Sequence, residues 1–148
     1  MRLQLALNVP NLDEAIDFYS KLFQTEPYKV KPGYANWAIE QPPLKLVVFE
    51  SETAEPGSIN HLGVETESAE EVVAAEARLA KAGLTTTGID DTICCFAEKV
   101  ETWVHAPDGN RWEWYVKQKD HEDGMENVVV RHREGASADS TQQAKCCG

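Results

Sequence analysis

The stretch Asn60-His61-Leu62-Gly63-Val64-Glu65 decides the fold, because it restarts a pattern that has already opened the chain. Apolar and polar residues alternate here as they do in residues 3–9, and a helical pattern follows each alternating run. Shifting the chain by 57 residues, from 4 to 61, places Gln4 on His61 and keeps the apolar positions of both strands in step. Self-similarity at a fixed offset indicates that one supersecondary unit is used twice.

The first copy of this unit predicts one helix and four strands. Asn11 and Asp13 are candidate N-caps for the helix, and Pro27 follows its end. The pair Pro42-Pro43 predicts a turn between the last two strands. The predicted strands are residues 3–9, 28–30, 34–39 and 44–49.

The second copy is longer than the first. Ser68 is a candidate N-cap for a helix that runs to Ala82. The last strand of the second copy matches the end of the first copy when Glu113 is placed on Lys45, which is an offset of 68 residues instead of 57. Roughly eleven extra residues therefore separate the second helix from the last strand, and Cys94-Cys95 fall among them. Extra length beside a scaffold is where binding loops tend to be built.

These patterns predict an α+β fold of two tandem βαβββ modules. The modules are expected at about residues 1–51 and 59–118, and together they would form one domain over residues 1–118. Residues 119–148 are polar and charged and predict a flexible tail. Within this tail Val128-Val129-Val130 is a candidate docking strand, and Cys146-Cys147 form a second pair of adjacent cysteines near its end.

Composition limits the classes of partner and the compartment. The net charge of −11 argues against nucleic acid and against an anionic membrane surface, because both attract basic patches. No transmembrane run or signal peptide is recognisable, which predicts a protein of the reducing cytoplasm. Neither a nucleic acid nor a membrane is therefore an expected partner, and the chain is expected to act as a monomer or a homodimer.

Cys94-Cys95 is the most unusual chemical feature of the sequence. Neighbouring cysteines cannot close an ordinary disulfide loop, since the ring between them forces strained torsions. Two adjacent sulfurs are instead suited to bind one soft atom together, and trivalent arsenic bonded to one carbon has two positions left for thiolates. The alternative is that both side chains are small buried hydrophobes, as unpaired cysteines often are.

Three further residues carry a resemblance to a known family. Gln4 opens the first module, His61 opens the second, and Glu113 ends the motif Pro107-Asp108-Gly109-Asn110-Arg111-Trp112-Glu113. With the first-helix motif at residues 11–19, the chain over about residues 2–118 resembles the vicinal oxygen chelate superfamily, which includes glyoxalase I, fosfomycin-resistance proteins and extradiol dioxygenases. The resemblance implies that Gln4, His61 and Glu113 bind a divalent metal such as Fe(II), Mn(II) or Ni(II). Each residue alone has a structural alternative: a core histidine, an edge amide and a surface carboxylate.

One expected ligand of that superfamily is missing. Glyoxalases of this fold place a fourth ligand, a glutamate, where this sequence has Lys45, and Glu50 would need a different register. An open site with three ligands favours Fe(II) chemistry with dioxygen, as in extradiol dioxygenases, over a six-coordinate lyase site.

The nearest resemblance joins this metal set to the cysteine pair. The sequence is similar to the ArsI-type carbon–arsenic lyases and the related CadI-type cadmium-induced proteins, which implies an Fe(II)-dependent dioxygenase. Such an enzyme cleaves the C–As bond of trivalent organoarsenicals, such as methylarsonous acid and aromatic arsenicals, and releases arsenite, with Cys94 and Cys95 as the arsenic ligands. The chain has Ala106 where the superfamily usually has an aspartate, and the family's lysine upstream of Trp103 has no clear match, with Lys99 the nearest lysine. The segments that carry this similarity are residues 1–9, 31–36, 42–46, 60–65, 94–95 and 103–105.

Two other functions remain open at this point. A protein that sequesters arsenic or cadmium without turnover would share the cysteine pair and the CadI-type similarity. A glyoxalase-like lyase or isomerase would need a fourth carboxylate and no thiols.

Overall fold

The computed structural model describes residues 1–122 and 128–129, which form two compact units. The first unit comprises residues 1–65 and 106–112, and the second comprises residues 66–105 and the described residues from Glu113 onward. The predicted pair Cys146-Cys147 and the predicted strand residue Val130 lie outside the described residues. No helix in the described part of the chain is long and apolar enough to cross a membrane.

The first unit is a mixed sheet with one helix against it. Its strands occur in the order β2-β3-β4-β1-β5, where β1 runs parallel to β4 and antiparallel to β5. The elements are β1 (Arg2–Val9), α1 (Leu12–Phe23), β2 (Lys29–Lys31), β3 (Tyr34–Ile39), β4 (Leu44–Glu50) and β5 (Ile59–Glu65).

Helix α1 begins and packs as its sequence predicts. The side chain of Asn11 accepts a hydrogen bond from the backbone N–H of Glu14 at 3.0 Å, which satisfies one of the unpaired donors of the first turn. Its apolar face packs on the sheet around Trp37 and Val48, both fully buried. This core fixes β1 at the centre of the unit, and so fixes the strand that carries Gln4.

The second unit also pairs a helix with a sheet. Val72 on the helix packs with Val100 and Val116 on two of the strands. The strands occur in the order β8-β7-β6-β9, and β6 and β7 form an antiparallel hairpin. The elements are α2 (Ala69–Lys81), β6 (Asp90–Cys94), β7 (Ala97–His105), β8 (Arg111–Asp120) and β9 (Val128–Val129).

The predicted strands and both helices are confirmed, with small differences at their ends. Helix α2 begins after its N-cap Ser68, as predicted, but ends one residue earlier than Ala82. Strand β8 extends to Asp120, two residues into the segment that the sequence predicts as a flexible tail. Strand β9 pairs with β6, with Val129 opposite Thr92, which confirms that residues 128–129 dock as a strand. Part of the extra length of the second copy lies in its hairpin, where β6 and β7 have 5 and 9 residues, against 3 and 6 in β2 and β3 of the first copy.

Candidate functional site

Gln4 and His61, which the sequence offset aligns, meet in the first unit. They lie on the neighbouring antiparallel strands β1 and β5, where Ala6 is opposite His61. Their side chains are 4 % and 3 % exposed, and Nε2 of Gln4 lies 3.0 Å from Nε2 of His61. Because β1 lies between β4 and β5, Gln4 is not the edge residue that its structural alternative required.

Asn60 orients the imidazole of His61. Nδ1 of His61 lies 2.8 Å from Oδ1 of Asn60, and Asn60 in turn donates from Nδ2 to Oδ1 of Asn8 at 3.0 Å. Since an amide oxygen can only accept, Nδ1 carries the proton, and Nε2 keeps a lone pair. A second partner that fixes the tautomer in this way is the usual arrangement around a metal-binding histidine.

Sequence reasoning missed this role of Asn60. Consecutive residues of a regular strand point to opposite faces, so Asn60 and His61 would not meet. The register between β1 and β5 shifts here, with Ala6 opposite His61 and Leu7 opposite Ile59, which makes Asn60 the extra residue of a bulge. Bulges re-aim side chains in this manner, and no residue pattern in the sequence marks this one.

Glu113 lies in the second unit, on β8, and is fully buried. Its Oε1 accepts a short charge-assisted hydrogen bond from Nζ of Lys99 on β7. The same ammonium lies 3.1 Å from Oε2 of Glu101, whose Oε1 accepts from the indole N–H of Trp103 at 2.9 Å. Glu113 is therefore a member of a buried ionic cluster, and the alternative that it is a surface residue is excluded.

Burial and charge act in opposite directions within this cluster. Burial and the neighbouring Glu113 raise the pKa of Glu101 to about 7, against the lowering effects of Lys99 and of the Trp103 hydrogen bond. For Lys99 burial lowers the pKa, but the nearby charges of Glu101, Glu113 and Cys95 outweigh it and raise the pKa well above 10.5. Lys99 is thus held as an ammonium. The acidic residues near the cysteine pair in the sequence, Asp90, Asp91 and Glu98, gave no sign that a cation would act on Cys95.

Cys94 and Cys95 occupy the tip of the β6–β7 hairpin. Cys94 is the last residue of β6 and pairs with Ala97, so Cys95 and Phe96 form a two-residue turn. Both turn residues have left-handed backbones, with φ of 53° and 59°. Positive φ at both central positions is characteristic of type I′ turns, which favour Asn-Gly. A non-glycine residue there costs about 1–3 kcal/mol, and such strain is concentrated at functional sites.

This turn brings the two sulfurs together. Adjacent residues of a strand would point apart, but the left-handed Cys95 places its Sγ 3.2 Å from Sγ of Cys94. If one atom were bonded to both sulfurs at about 2.3 Å, the length of a Zn–S bond, the angle between its two bonds to sulfur would be roughly 90°. That angle is too narrow for a tetrahedral ion and suits a pyramidal atom such as trivalent arsenic.

The two cysteines differ in their surroundings. Cys94 is fully buried and packs with Trp103, while Cys95 is half-buried. Cys94 is disulfide-bonded in this structure, so any binding by both sulfurs requires the reduced chain. Trp103 is thus an apolar neighbour of the cysteine pair.

The positions expected for a fourth metal ligand hold no available carboxylate. Lys45 lies opposite Gln4 in the pairing of β1 with β4, and its Nζ is 3.7 Å from Oε1 of Glu65. Glu50 accepts a hydrogen bond from the backbone N–H of Leu12 at 2.7 Å, and so serves the start of α1. In the described part of the chain, no three side chains of His, Cys, Asp or Glu are clustered so that they could hold a metal ion.

Comparison with known proteins shows the family. The family model described as the Glyoxalase/Bleomycin resistance protein/Dioxygenase superfamily matches residues 3–114. The chain belongs to this superfamily. The resemblance to the vicinal oxygen chelate proteins and the predicted α+β fold are thereby confirmed.

Relatives within the superfamily cover most of the chain. The trivalent organoarsenical cleaving enzyme of Thermomonospora curvata is 44% identical over 149 residues, with 99% of each chain covered. The cadmium-induced protein CadI of Mycobacterium tuberculosis is 54% identical over 121 residues, which cover 82% of this chain and 79% of that protein. A trivalent organoarsenical cleaving enzyme of Bacillus sp. is 38% identical over 144 residues, which cover 97% of this chain and 88% of that enzyme.

Solved structures of the superfamily support the fold alone, because their identities are low. The Mn(II)-bound glyoxalase of Novosphingobium aromaticivorans has a TM-score of 0.58 at 16% identity and covers 81% of this chain and 40% of its own. Methylmalonyl-CoA epimerase of Mycobacterium tuberculosis has a TM-score of 0.56 at 16% identity and covers 76% of this chain and 85% of its own.

Proposed function

We propose that this protein is a cytoplasmic, non-haem Fe(II)-dependent dioxygenase that cleaves the C–As bond of trivalent organoarsenicals and releases arsenite. Methylarsonous acid and aromatic arsenicals are the proposed substrates. The observation that carries the proposal is the pair of sulfurs 3.2 Å apart at a strained turn. The names of relatives that match this chain from end to end support the same substrate class.

In this proposal Gln4, His61 and Glu113 bind the iron. The chemistry that iron supplies when bound is the activation of dioxygen. His61 fits as a ligand because Asn60 leaves the Nε2 lone pair available, and Glu113 fits because a carboxylate is a favoured donor for Fe(II). Gln4 presents Nε2 towards His61, so its amide has to turn over for Oε1 to act as the donor.

Cys94 and Cys95 bind and orient the substrate. An organoarsenical with two hydroxyl groups on arsenic exchanges both for the two sulfurs, and two waters leave with the two thiol protons. The ammonium of Lys99 acts on Cys95 and favours its thiolate, which is the form that attacks arsenic. When arsenic has formed two As–S bonds, the carbon substituent occupies its third position. The two sulfurs thereby fix the direction of the C–As bond.

The decisive experiment compares turnover with and without dioxygen. Protein that has been reduced and loaded with Fe(II) is mixed with methylarsonous acid in air or under nitrogen, and arsenite is separated by chromatography and quantified. Arsenite is expected only in air, because cleavage consumes dioxygen. Equal rates of release in the two atmospheres would contradict the proposal and indicate hydrolytic or thiol-driven cleavage.

The high identity to CadI supports a second candidate, a protein that binds arsenic or cadmium without turnover. In that case the cysteine pair would bind methylarsonous acid stoichiometrically, and no arsenite would appear in air. The glyoxalase-like alternative is less favoured, because Lys45 stands where that reaction needs a carboxylate.

A further inference from the structure

One cation and two carboxylates share a buried space in the second unit. Lys99, Glu101 and Glu113 are 5 %, 1 % and 0 % exposed. Buried charges are costly unless each is paired, and here a single ammonium serves two carboxylates. Lys99 and Glu101 are two residues apart on β7 and so share one of its faces, while the intervening Val100 packs with Val72 of α2.

The two carboxylates hold the ammonium unequally. Glu113 accepts a short hydrogen bond from Nζ of Lys99. Oε2 of Glu101 lies 3.1 Å from the same nitrogen but, within the part of the chain that the structure describes, accepts no hydrogen bond. Glu101 therefore has a buried acceptor position still open towards Lys99, and a small movement of the ammonium would fill it.

We propose that Lys99 is an internal counter-ion that pairs with the carboxylate of Glu113 until a divalent metal replaces it there. After this exchange, Lys99 remains paired with Glu101. The inference rests on Glu113 being a metal ligand, as proposed above. A dication and an ammonium repel each other, and both need a lone pair of the same carboxylate, so metal binding weakens the contact between Lys99 and Glu113. The open acceptor of Glu101 keeps the displaced ammonium paired without exposure to water.

A third contact keeps the ammonium in place during the exchange. Nζ of Lys99 lies 5.0 Å from the centroid of the Tyr115 ring, within the range of a cation–π interaction. Trp103 anchors the other oxygen of Glu101, so Glu101 cannot easily turn away from Lys99. Lys99 and Glu101 are thus positioning residues for Glu113, and they set the affinity of the site for metal.

The exchange predicts which substitutions strengthen metal binding. Lys99→Met keeps the length of the side chain but removes the competitor, so the affinity for a divalent metal should rise about tenfold, within the range of couplings between contacting charged groups. Lys99→Met combined with Glu101→Gln restores the net charge of the wild-type cluster and still lacks the competitor. This double variant should also bind metal more tightly than the wild type, which separates competition from simple net charge.

Mn(II) is the probe, since its free ion gives an electron paramagnetic resonance signal that disappears on binding. Metal-free, reduced full-length protein is titrated as wild type, Lys99→Met, the double variant, Glu113→Gln and the control Lys117→Met. Lys117 lies on β8 and contacts Asp120, so its substitution changes charge nearby without touching the cluster. The expected result is tighter Mn(II) binding in the first two variants, an unchanged affinity in the control and a loss of binding in Glu113→Gln.

The outcomes distinguish this inference from the proposed function. If Glu113→Gln binds Mn(II) as the wild type does, Glu113 is not a ligand, and the metal set itself is wrong. If Glu113→Gln loses binding but the double variant matches the wild type, net charge alone sets the affinity, and the exchange is wrong. Thermal unfolding checks that each variant folds and adds a second readout: saturating Mn(II) should raise the Tm of Lys99→Met more than that of the wild type.

Discussion

The two units each contain a hairpin with a two-residue turn, and the two turns are built differently. In the first unit Lys31 pairs with Tyr34, and Pro32-Gly33 form the turn, with Gly33 at a φ of 71°. In the second unit Cys95 and Phe96 occupy the same positions, both with positive φ. Pro32 and Gly33 favour the backbone conformation of the first turn. Cys95 and Phe96 adopt left-handed backbones that are unfavourable for non-glycine residues, so the second turn costs conformational free energy. The second turn is therefore shaped for its sulfurs, at a cost in stability.

The largest expected effect comes from removing one sulfur. Cys94→Ser and Cys95→Ser should each lower arsenite release by at least about a hundredfold, because one sulfur cannot orient the C–As bond. Pro32→Ala, the matched change in the first hairpin, should leave release unchanged. Chromatographic assay of arsenite at saturating substrate measures all three. Comparable activity in Cys94→Ser and Pro32→Ala would show that the two hairpins do not differ in function.

The metal ligands provide the next largest effect and test whether the hairpin acts alone. His61→Ala and Glu113→Ala should lose bound Fe(II) and turnover, yet still fold, because each lies on a strand with other packed residues. Gln4→Ala should reduce iron binding less, since an amide oxygen is the weakest donor of the set. Iron content after desalting and arsenite release report the two properties separately. Full activity of iron-reconstituted His61→Ala would refute the metal proposal. It would also refute the idea that the hairpin binds the substrate while separate residues bind the metal.

The second unit also differs from the first by its buried charge, which predicts that the free energy of unfolding depends on pH. The pKa of Glu101 is raised from 4.5 to about 7 in the folded chain, so the folded state holds this proton more tightly than the unfolded state. The resulting stabilisation is complete below about pH 4.5 and is lost as the pH rises towards about 7, on the order of 2 kcal/mol. Relative to Glu101→Gln, the metal-free wild type should therefore become less stable across this range.

Urea unfolding at several pH values measures that difference directly. In the first unit Glu65→Gln is the control, because Glu65 is paired with Arg2 and lies closer to solvent. A constant difference between wild type and Glu101→Gln from pH 4.5 to pH 7 would contradict the raised pKa.

The smallest expected effects concern the turns themselves. Cys95→Asn places a residue that favours the type I′ turn and should raise the free energy of unfolding by about 1 kcal/mol, although turnover is lost. Gly33→Ala should lower the free energy of unfolding by about 1 kcal/mol, since its Cβ meets no atom within 4 Å and only the backbone conformation is penalised. Urea denaturation measures both. If Cys95→Asn is destabilised as Gly33→Ala is, the cysteine turn carries no strain.

The repeat in the sequence predicted where strands and helices lie, whereas the meeting of Gln4 with His61 was implied only by the resemblance to a known family. Local patterns are sufficient for the strands and helices, because alternation and helix caps act over a few residues. The turn at Cys95 could not be predicted, since neither Cys nor Phe favours positive φ. The pairing of Lys99 with Glu113 was also missed, because it depends on how β7 and β8 align, and register is set by the packing of whole strands.

The position of Trp103 has a consequence for the fluorescence of the second unit. Its indole packs on Cys94 at one end and donates a hydrogen bond to Glu101 at the other, so a single fluorophore contacts both the cysteine pair and the ionic cluster. A heavy atom bonded to Cys94 should quench its emission, while a change in the charge around Glu101 should shift the emission wavelength. The difference spectrum against Trp103→Phe would then follow substrate capture and counter-ion movement as separate signals, in one cuvette and without a label.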